Sequence, residues 1–395
     1  MASENERPQA KASILYNPTY RGYFFQVVLV AALVWLFWAA AKNATDNMND
    51  ANIRTGFGFF WEKAGFDINQ HLIPYSADAS TYFDAFIVGL LNTLLVAAVG
   101  IVLTTILGFT IGIARLSSNW IVARIAKIYV ESIRNIPLLL QLLFWYNAVL
   151  KPLPNPRQSF HLGAGVVINN RGLFMPQPQF GAGSWLMGIA LIVGVVGAIA
   201  FRRWARRQQA ETGKQYPVGW TMLGLVIGLP LLAYFAAGMP VTFDIPKLQG
   251  FNFRGGLQVY PEFVALLLGL VIYTAAFIAE IVRAGILAVS RGQTEAAHAL
   301  GLRSGTTLKL VVVPQAMRVI VPPLTSQYLN LTKNSSLAVY IGYPDLVQIF
   351  AGTVLNQTGQ ALEVILLTML VYLVISLVTS AIMNVYNSRV MLVER

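Results

Sequence analysis

From Ala85 to Ala114 the chain carries no ionisable residue. About 20 apolar residues in a helix suffice to cross the hydrocarbon layer of a bilayer. Inside that layer every backbone polar group must find its partner within the protein, which one segment achieves only as a helix. Comparable runs occur at Tyr23–Ala41, Ile128–Leu150, Ser184–Phe201, Trp220–Gly238, Glu262–Ser290 and Ala361–Val385, with a weaker one between Gln327 and Ala351. The pattern predicts an all-α polytopic membrane protein of about eight transmembrane helices. Composition agrees, because 56% of residues are hydrophobic and only 11% charged, outside the usual range of soluble domains.

The net charge is +11, from 28 Lys+Arg against 17 Asp+Glu. These cations sit between apolar runs rather than on one folded surface, so they report membrane topology and not nucleic-acid binding. The chain has no cysteine, which excludes disulfides, thiolate metal sites and cysteine catalysis. His71, His161 and His298 lack metal-ligand spacing, and no metal site is expected. The opening MASENERPQAKAS has acids and no apolar core, so the first run reads as a retained anchor. Arg115, Arg124 and Lys127, the RRWARR cluster at Arg202–Arg207, the Arg291–Arg318 loop, and Arg389 with Arg395 mark one side. Eight spans then put both termini in the cytoplasm. One loop runs against this rule: 151–183 carries Lys151, Arg157 and Arg171 without an acid, yet must be external.

The longest polar interruption in the C-terminal part is Arg291–Pro314. It reads as a short helical hairpin. Thr294 can cap a helix starting at Glu295, whose carboxylate suits the positive end of the dipole. Gly301 sits where a left-handed residue ends that helix. Ser304 can cap a second helix, and Pro314 limits its continuation. Glu131 and Arg134, and again Glu280 and Arg283, form Glu-x-x-Arg pairs within spans, close enough to touch on one helical face. Ionisable groups at mid-span cost about 2.5–3.5 kcal/mol on insertion scales. Such pairs can line a pathway, or they can neutralise each other and snorkel. Arg134 stands out because Pro137, one turn on, kinks its helix and frees a carbonyl. Lys333 and Asn334 open a second polar cluster at membrane depth. It is either a helix start at the interface or a broken helix bordering the pathway.

Glu295-Ala296-Ala297, then Gly301 after three residues, then Val311-x-Val313-Pro314 after nine more, resembles the EAA loop of bacterial ABC importer permeases. The family's pattern is E-A-A, three residues, G, nine residues, I-x-L-P. Valines here replace its aliphatic positions. Gly89-Leu-Leu-Asn92-Thr93-Leu94 and Tyr129–Gln141 are similar to the opening helices of polar amino-acid permeases of the histidine/glutamine type. Tyr273–Ile286 resembles their helix before the EAA loop. Lys333–Leu337 with Ile341–Leu346 resembles their K-D-T-S-L and G-x-x-D-L segments, with Asn334 in place of the usual Asp.

The resemblance covers about 85–150 and 262–388, implying a MetI-like ABC importer permease core. Residues 151–261 add an inserted helix pair, as in the Q-type subunits of general L-amino-acid importers. The implied organisation is a tail, first helix and external loop at 1–84, core at 85–150, the insertion at 151–261, core with coupling loop at 262–388, and a tail at 389–395. It further implies an inner-membrane subunit, itself no enzyme, that moves L-amino acids by alternating access. Its implied partners are a second, related permease in a heterodimer, two ATPase subunits and a periplasmic amino-acid-binding protein, within membrane lipid. The chain has no G-x-x-x-x-G-K-[ST] motif, so ATP and Mg belong on the partner ATPase, and no cofactor on this chain. Glu295, Ala296, Ala297, Gly301, Val311, Val313 and Pro314 would couple to that ATPase. Glu131, Arg134, Glu280, Arg283, Lys333 and Asn334 would border the pathway. The competing reading is an ion-gradient-driven secondary transporter, which predicts paired halves that the chain does not display. A non-transport scaffold would leave the motif spacing unexplained.

Overall fold

The computed structural model describes residues 18–50 and 55–390. The opening segment and Arg395 lie outside the described residues. Helix α1 (Pro18–Asp50) holds the first apolar run. Helix α2 (Tyr82–Ala114) starts three residues before the uncharged run, because Thr81 and Asp84 form a capping box there. The Asp84 carboxylate accepts from the Thr81 N–H at 2.8 Å.

Helices α3 (Trp120–Asn135) and α4 (Leu138–Leu143), the latter prolonged by a π turn Phe144–Leu150, meet at 105°. The kink expected at Pro137 is therefore a sharp break. Gln141 Nε2 donates to the Ile133 and Ile136 carbonyls at 3.0 Å each, filling the acceptors that the break leaves open.

Helix α5 (Trp185–Thr212) absorbs the RRWARR stretch that the sequence places in a loop. Arginine, alanine and glutamine are good helix formers, and that end of α5 needs no apolar face. The chain returns through α6 (Val218–Leu223), a π turn and α7 (Leu229–Ala236). Then come α8 (Pro261–Leu287), α9 (Arg291–Ala299), α10 (Ser304–Thr307), α11 (Val313–Asn334), α12 (Leu355–Thr358) and α13 (Ala361–Val390). Among the described residues seven helices are long and apolar enough to cross a bilayer, or eight with the bent pair taken as one span.

The seventh span differs from its expected place. Ser304–Ile341 runs as one helix, so the crossing begins well before Gln327. Arg318, Pro322 and Pro323 dilute the apolar signal along this helix, yet its inner face of Ala316, Ile320, Val321, Leu324 and Leu331 is fully packed.

The bundle closes on small residues. A Cβ at Gly108 would come within 2.6 Å of Ile278, and one at Gly112 within 2.7 Å of Val282, so α2 and α8 run in backbone contact. Helix α11 lies antiparallel to α8 over Gly285, and α4 over Gly269. At the end where α2 begins, Phe59, Tyr82 and Phe350 pack residues 55–81 onto the bundle. Burial, with Asp67 and Asp84 nearby, pushes the Tyr75 phenol up to about 12, so it remains a donor to the Phe66 carbonyl at 3.0 Å.

Segments 151–183 and 239–260, which read as irregular loops, form a small β-module instead. Strands β1 (Phe160–Gly163), β2 (Val166–Asn169), β3 (Gly172–Met175) and β8 (Leu257–Val259) make one antiparallel sheet in that order. Strand β4 (Gln177–Phe180) pairs with β5 (Val241–Asp244), and β6 (Lys247–Gln249) with β7 (Asn252–Arg254). Val167, Phe174 and Phe253 are its core. The strand pairs across these segments put both at one end of the bundle, whatever the charges of 151–183 suggest.

Candidate functional site

At the opposite end from the β-module, α9 and α10 make the hairpin. Helix α9 begins at Arg291, so Thr294 lies in its interior and does not cap it, and Glu295 stands in the second turn. The preceding residue is Ser290, in extended geometry that suits an entry. Ala297 is buried, on a helix that packs against the π-helical stretch Leu308–Val312. Glu295 and Ala296 face outward.

Gly301 is left-handed at φ 74°. Its N–H donates to the His298 carbonyl at 2.9 Å, and the Leu302 N–H to the Ala297 carbonyl at 3.1 Å. This paired closure is how a left-handed residue ends a helix. Arg303 precedes α10, so Ser304 is its first residue rather than its cap.

Pro314 does not stop the second helix. It sits in the first turn of α11, immediately after the π turn. That wider turn accommodates the ring and the missing N–H. Val312 is buried and Val311 half-buried, while Val313 and Pro314 are exposed. Beside them Leu300 is 82% exposed and Leu310 63%. The motif thus divides into an inner row that holds the hairpin on α11 and an outer, low-relief apolar surface.

The charged pairs separate on inspection. Glu280 does meet Arg283, Oε1 to Nη2 at 2.6 Å. The sequence does not anticipate that Arg115, at the end of α2, binds the other carboxylate oxygen. Glu131 and Arg134 do not pair. Glu131 lies 3.6 Å from Lys127, and the Arg134 guanidinium stacks 5.0 Å from the Phe277 ring of α8. Arg134 is one residue from the end of α3, where the Pro137 break turns the chain and leaves the side chain leaning on its neighbour.

Lys333 and Asn334 are the last residues of α11, which tightens into a 3-10 segment at Ser335–Ile341. The cluster is thus neither a helix start nor a break: the helix narrows there, continues to Ile341 and ends at left-handed Gly342. Lys333 borders a cavity of about 450 Å³ with Ser336, Thr368, Tyr372 and Ser376. Of the six residues expected along the pathway, Glu280 and Arg283 are in contact, Lys333 and Asn334 are neighbours in the chain, and among the described residues no ion pair joins these pairs to Glu131 or Arg134.

One polar node went unrecognised as a site. Asp345 is fully buried. Its carboxylate accepts from the Gln348 N–H at 2.8 Å and the Tyr372 hydroxyl at 3.2 Å. The neighbouring Leu346 N–H donates to Thr93 at 3.0 Å, and Asn92 donates to the Pro344 and Gln70 carbonyls. The stretches containing Asn92-Thr93 and Pro344-Asp345 are both quoted above for the resemblance. Their meaning is contact with each other, visible in sequence only as polar residues inside apolar runs.

Glu280→Ala should destabilise the bundle by about 1–3 kcal/mol, since it strands two guanidinium groups, with partial exposure keeping the loss at the lower end. Arg283→Gln should cost less, because Glu280 retains Arg115. Thermal unfolding of the detergent-solubilised protein reads both, and an unchanged midpoint for Glu280→Ala would show that the Arg115–Glu280–Arg283 contacts do not stabilise the bundle.

A family model described as "Binding-protein-dependent transport system inner membrane component" matches residues 217–392. The general L-amino acid transport system permease protein AapQ of Rhizobium johnstonii is 51% identical over 383 residues, 97% of this chain and 95% of its own length. The putative amino-acid ABC transporter permease protein YhdX of Escherichia coli is 51% identical over 99% of this chain and 100% of its own. The glutamate/glutamine/aspartate/asparagine transport system permease protein BztB of Rhodobacter capsulatus is 44% identical, with both chains covered completely. Coverage of this extent includes the β-module and helices α5, α6 and α7 as well as the rest of the chain. The ion-gradient alternative falls away. The chain belongs to the binding-protein-dependent ABC importer permeases, as a multi-pass inner-membrane transport subunit of the amino-acid permease branch, ATP-driven and not itself an enzyme.

Proposed function

We propose that this chain is one half of the pore of an importer of broad range for L-amino acids. The observation carrying that reading is the 51% identity to AapQ across 97% of the chain. The second half is a related permease, giving a heterodimer. Two ATPase subunits sit beneath the pair, with ATP and Mg bound there, and a periplasmic amino-acid-binding protein delivers the solute. Both termini and the α9–α10 hairpin face the cytoplasm, and the β-module faces the periplasm.

In this reading the outer hairpin surface around Glu295, Ala296, Gly301, Val313 and Pro314 docks into a cleft on the ATPase. Ala297 and Val311 hold it to the helix behind. Because Ser304–Ile341 is continuous, closure of the ATPases tilts that helix as a body and opens the pathway at its far end. Hydrolysis resets it. A positive charge at Arg134 or Lys333 suits a solute carboxylate, with Glu131, Glu280, Arg283 and Asn334 at or near the same route.

The test is reconstitution of the complex purified from its native membrane. Uptake of L-glutamine into liposomes should require ATP and show no response to a proton or sodium gradient. Arg134→Ala should lower uptake several-fold at unchanged assembly. Uptake driven by an ion gradient alone would overturn the reading, and normal kinetics in the Arg134 variant would take that residue off the pathway.

A further inference from the structure

The β-module has an unbalanced surface. Lys151, Arg157, Arg171, Lys247 and Arg254 are all exposed on it. Its acid, Asp244, is turned inward, where the carboxylate accepts from the Gly256 N–H at 2.9 Å. Strands β6 and β7 set Lys247 directly opposite Arg254. Like charges in that relation share a face and repel. Among the described residues neither has a carboxylate within salt-bridge distance.

Arg157 adds a third cation beside the same ribbon, stacked 4.7 Å from the Phe251 ring at its turn. Phe251 is 74% exposed. Arginine and aromatic side chains with free faces are what interface centres are built from. The patch is also preformed. Phe253 of β7 packs on Phe174 of β3, ring centroids 5.3 Å apart, and anchors the ribbon to the sheet. Binding there orders little that is not already ordered.

We infer that the β6–β7 ribbon, with Lys247 and Arg254 at its base and Arg157 and Phe251 at its tip, docks an acidic surface of the soluble binding protein. This rests on the sidedness proposed above. It adds which part of this chain makes the contact and what charge the partner must present. Anionic lipid headgroups offer similar chemistry to the cations, but they give no role to a paired ribbon that projects an aromatic tip.

The experiment uses the whole complex in nanodiscs, with and without anionic lipid, and its own binding protein saturated with L-glutamine. In the Lys247→Gln/Arg254→Gln variant the dissociation constant should rise about tenfold, mostly through a slower and less salt-sensitive on-rate. ATP hydrolysis without binding protein should stay as in the parent. The charge-preserving Lys247→Arg/Arg254→Lys exchange should restore binding, which a general folding defect would not allow. Equal affinity of parent and Gln variant would overturn the proposal. So would loss confined to discs containing anionic lipid, which would assign the patch to headgroups. A parent complex that fails to bind or respond to the protein at all would instead sink the functional reading beneath it.

Discussion

Gly112→Leu is expected to leave little folded protein in the membrane. A Cβ alone at this position would lie 2.7 Å from the Val282 Cβ and 2.8 Å from the Ala279 carbonyl oxygen, distances that atoms do not adopt. The obstacle is backbone and branched carbon, neither of which can swing aside. Overpacking usually costs about 1–3 kcal/mol, and here α2 and α8 must separate along a seam of backbone contact. Gly112→Ala should be intermediate. The same change at Gly188, where nothing lies within 4 Å of the added carbon, should leave the level of protein unaltered. Size-exclusion profiles of solubilised membranes compare the three. Equal monodisperse yields for Gly112→Leu and Gly188→Leu would show that the contact is not needed.

Gly301→Leu is expected to act in the opposite sense, with the protein present and transport lost. A Cβ here meets nothing within 4 Å, and the position opens to the surface. The backbone is left-handed at φ 74°, which costs an L-residue about 1–2 kcal/mol. The position is also exposed on the outer hairpin surface. Strain at a surface turn is bearable for a bundle of this size, whereas a branched side chain would stand in the way of the proposed docking. Uptake should fall more than about tenfold while membrane levels stay near those of the parent. Gly301→Asn, which tolerates the left-handed turn, should keep the hairpin and still impair coupling. Normal uptake by the Leu variant would end the docking role.

The helices were legible because hydrophobic length is a one-dimensional signal, and α2, α8 and α13 lie close to their expected bounds, whereas α5 starts where expected and runs on through the RRWARR stretch. The seventh span was displaced because Arg318, Pro322 and Pro323 interrupt that signal on a helix whose burial is one-sided. Within the hairpin, Gly301 was readable from a local rule about left-handed residues. The helix start was not, since Ser290 and Thr294 both offer a capping hydroxyl and α9 starts after Ser290, whose side chain makes no cap hydrogen bond. The Glu280–Arg283 pair was readable because it is local in sequence. Arg115 was not, because its partner lies 165 residues away. The β-module stayed hidden because its strands are three or four residues long, and two of its pairings, β3 with β8 and β4 with β5, run across α5, α6 and α7. Short strands carry almost no periodic signal of their own.

The pairing of Phe180 with Val241 brings the chain back to the place it left, and the Gly181 N–H donates to the Pro240 carbonyl at 2.7 Å. Everything between those two points, including α5, α6 and α7, hangs from a closed ladder whose ends are adjacent. Insertion or removal of sequence there leaves the register of the sheet and the path of the core untouched. The helix pair is carried by its own ladder of strands. A change in the length of these helices, or in their face toward lipid, leaves the two ends where the strands hold them.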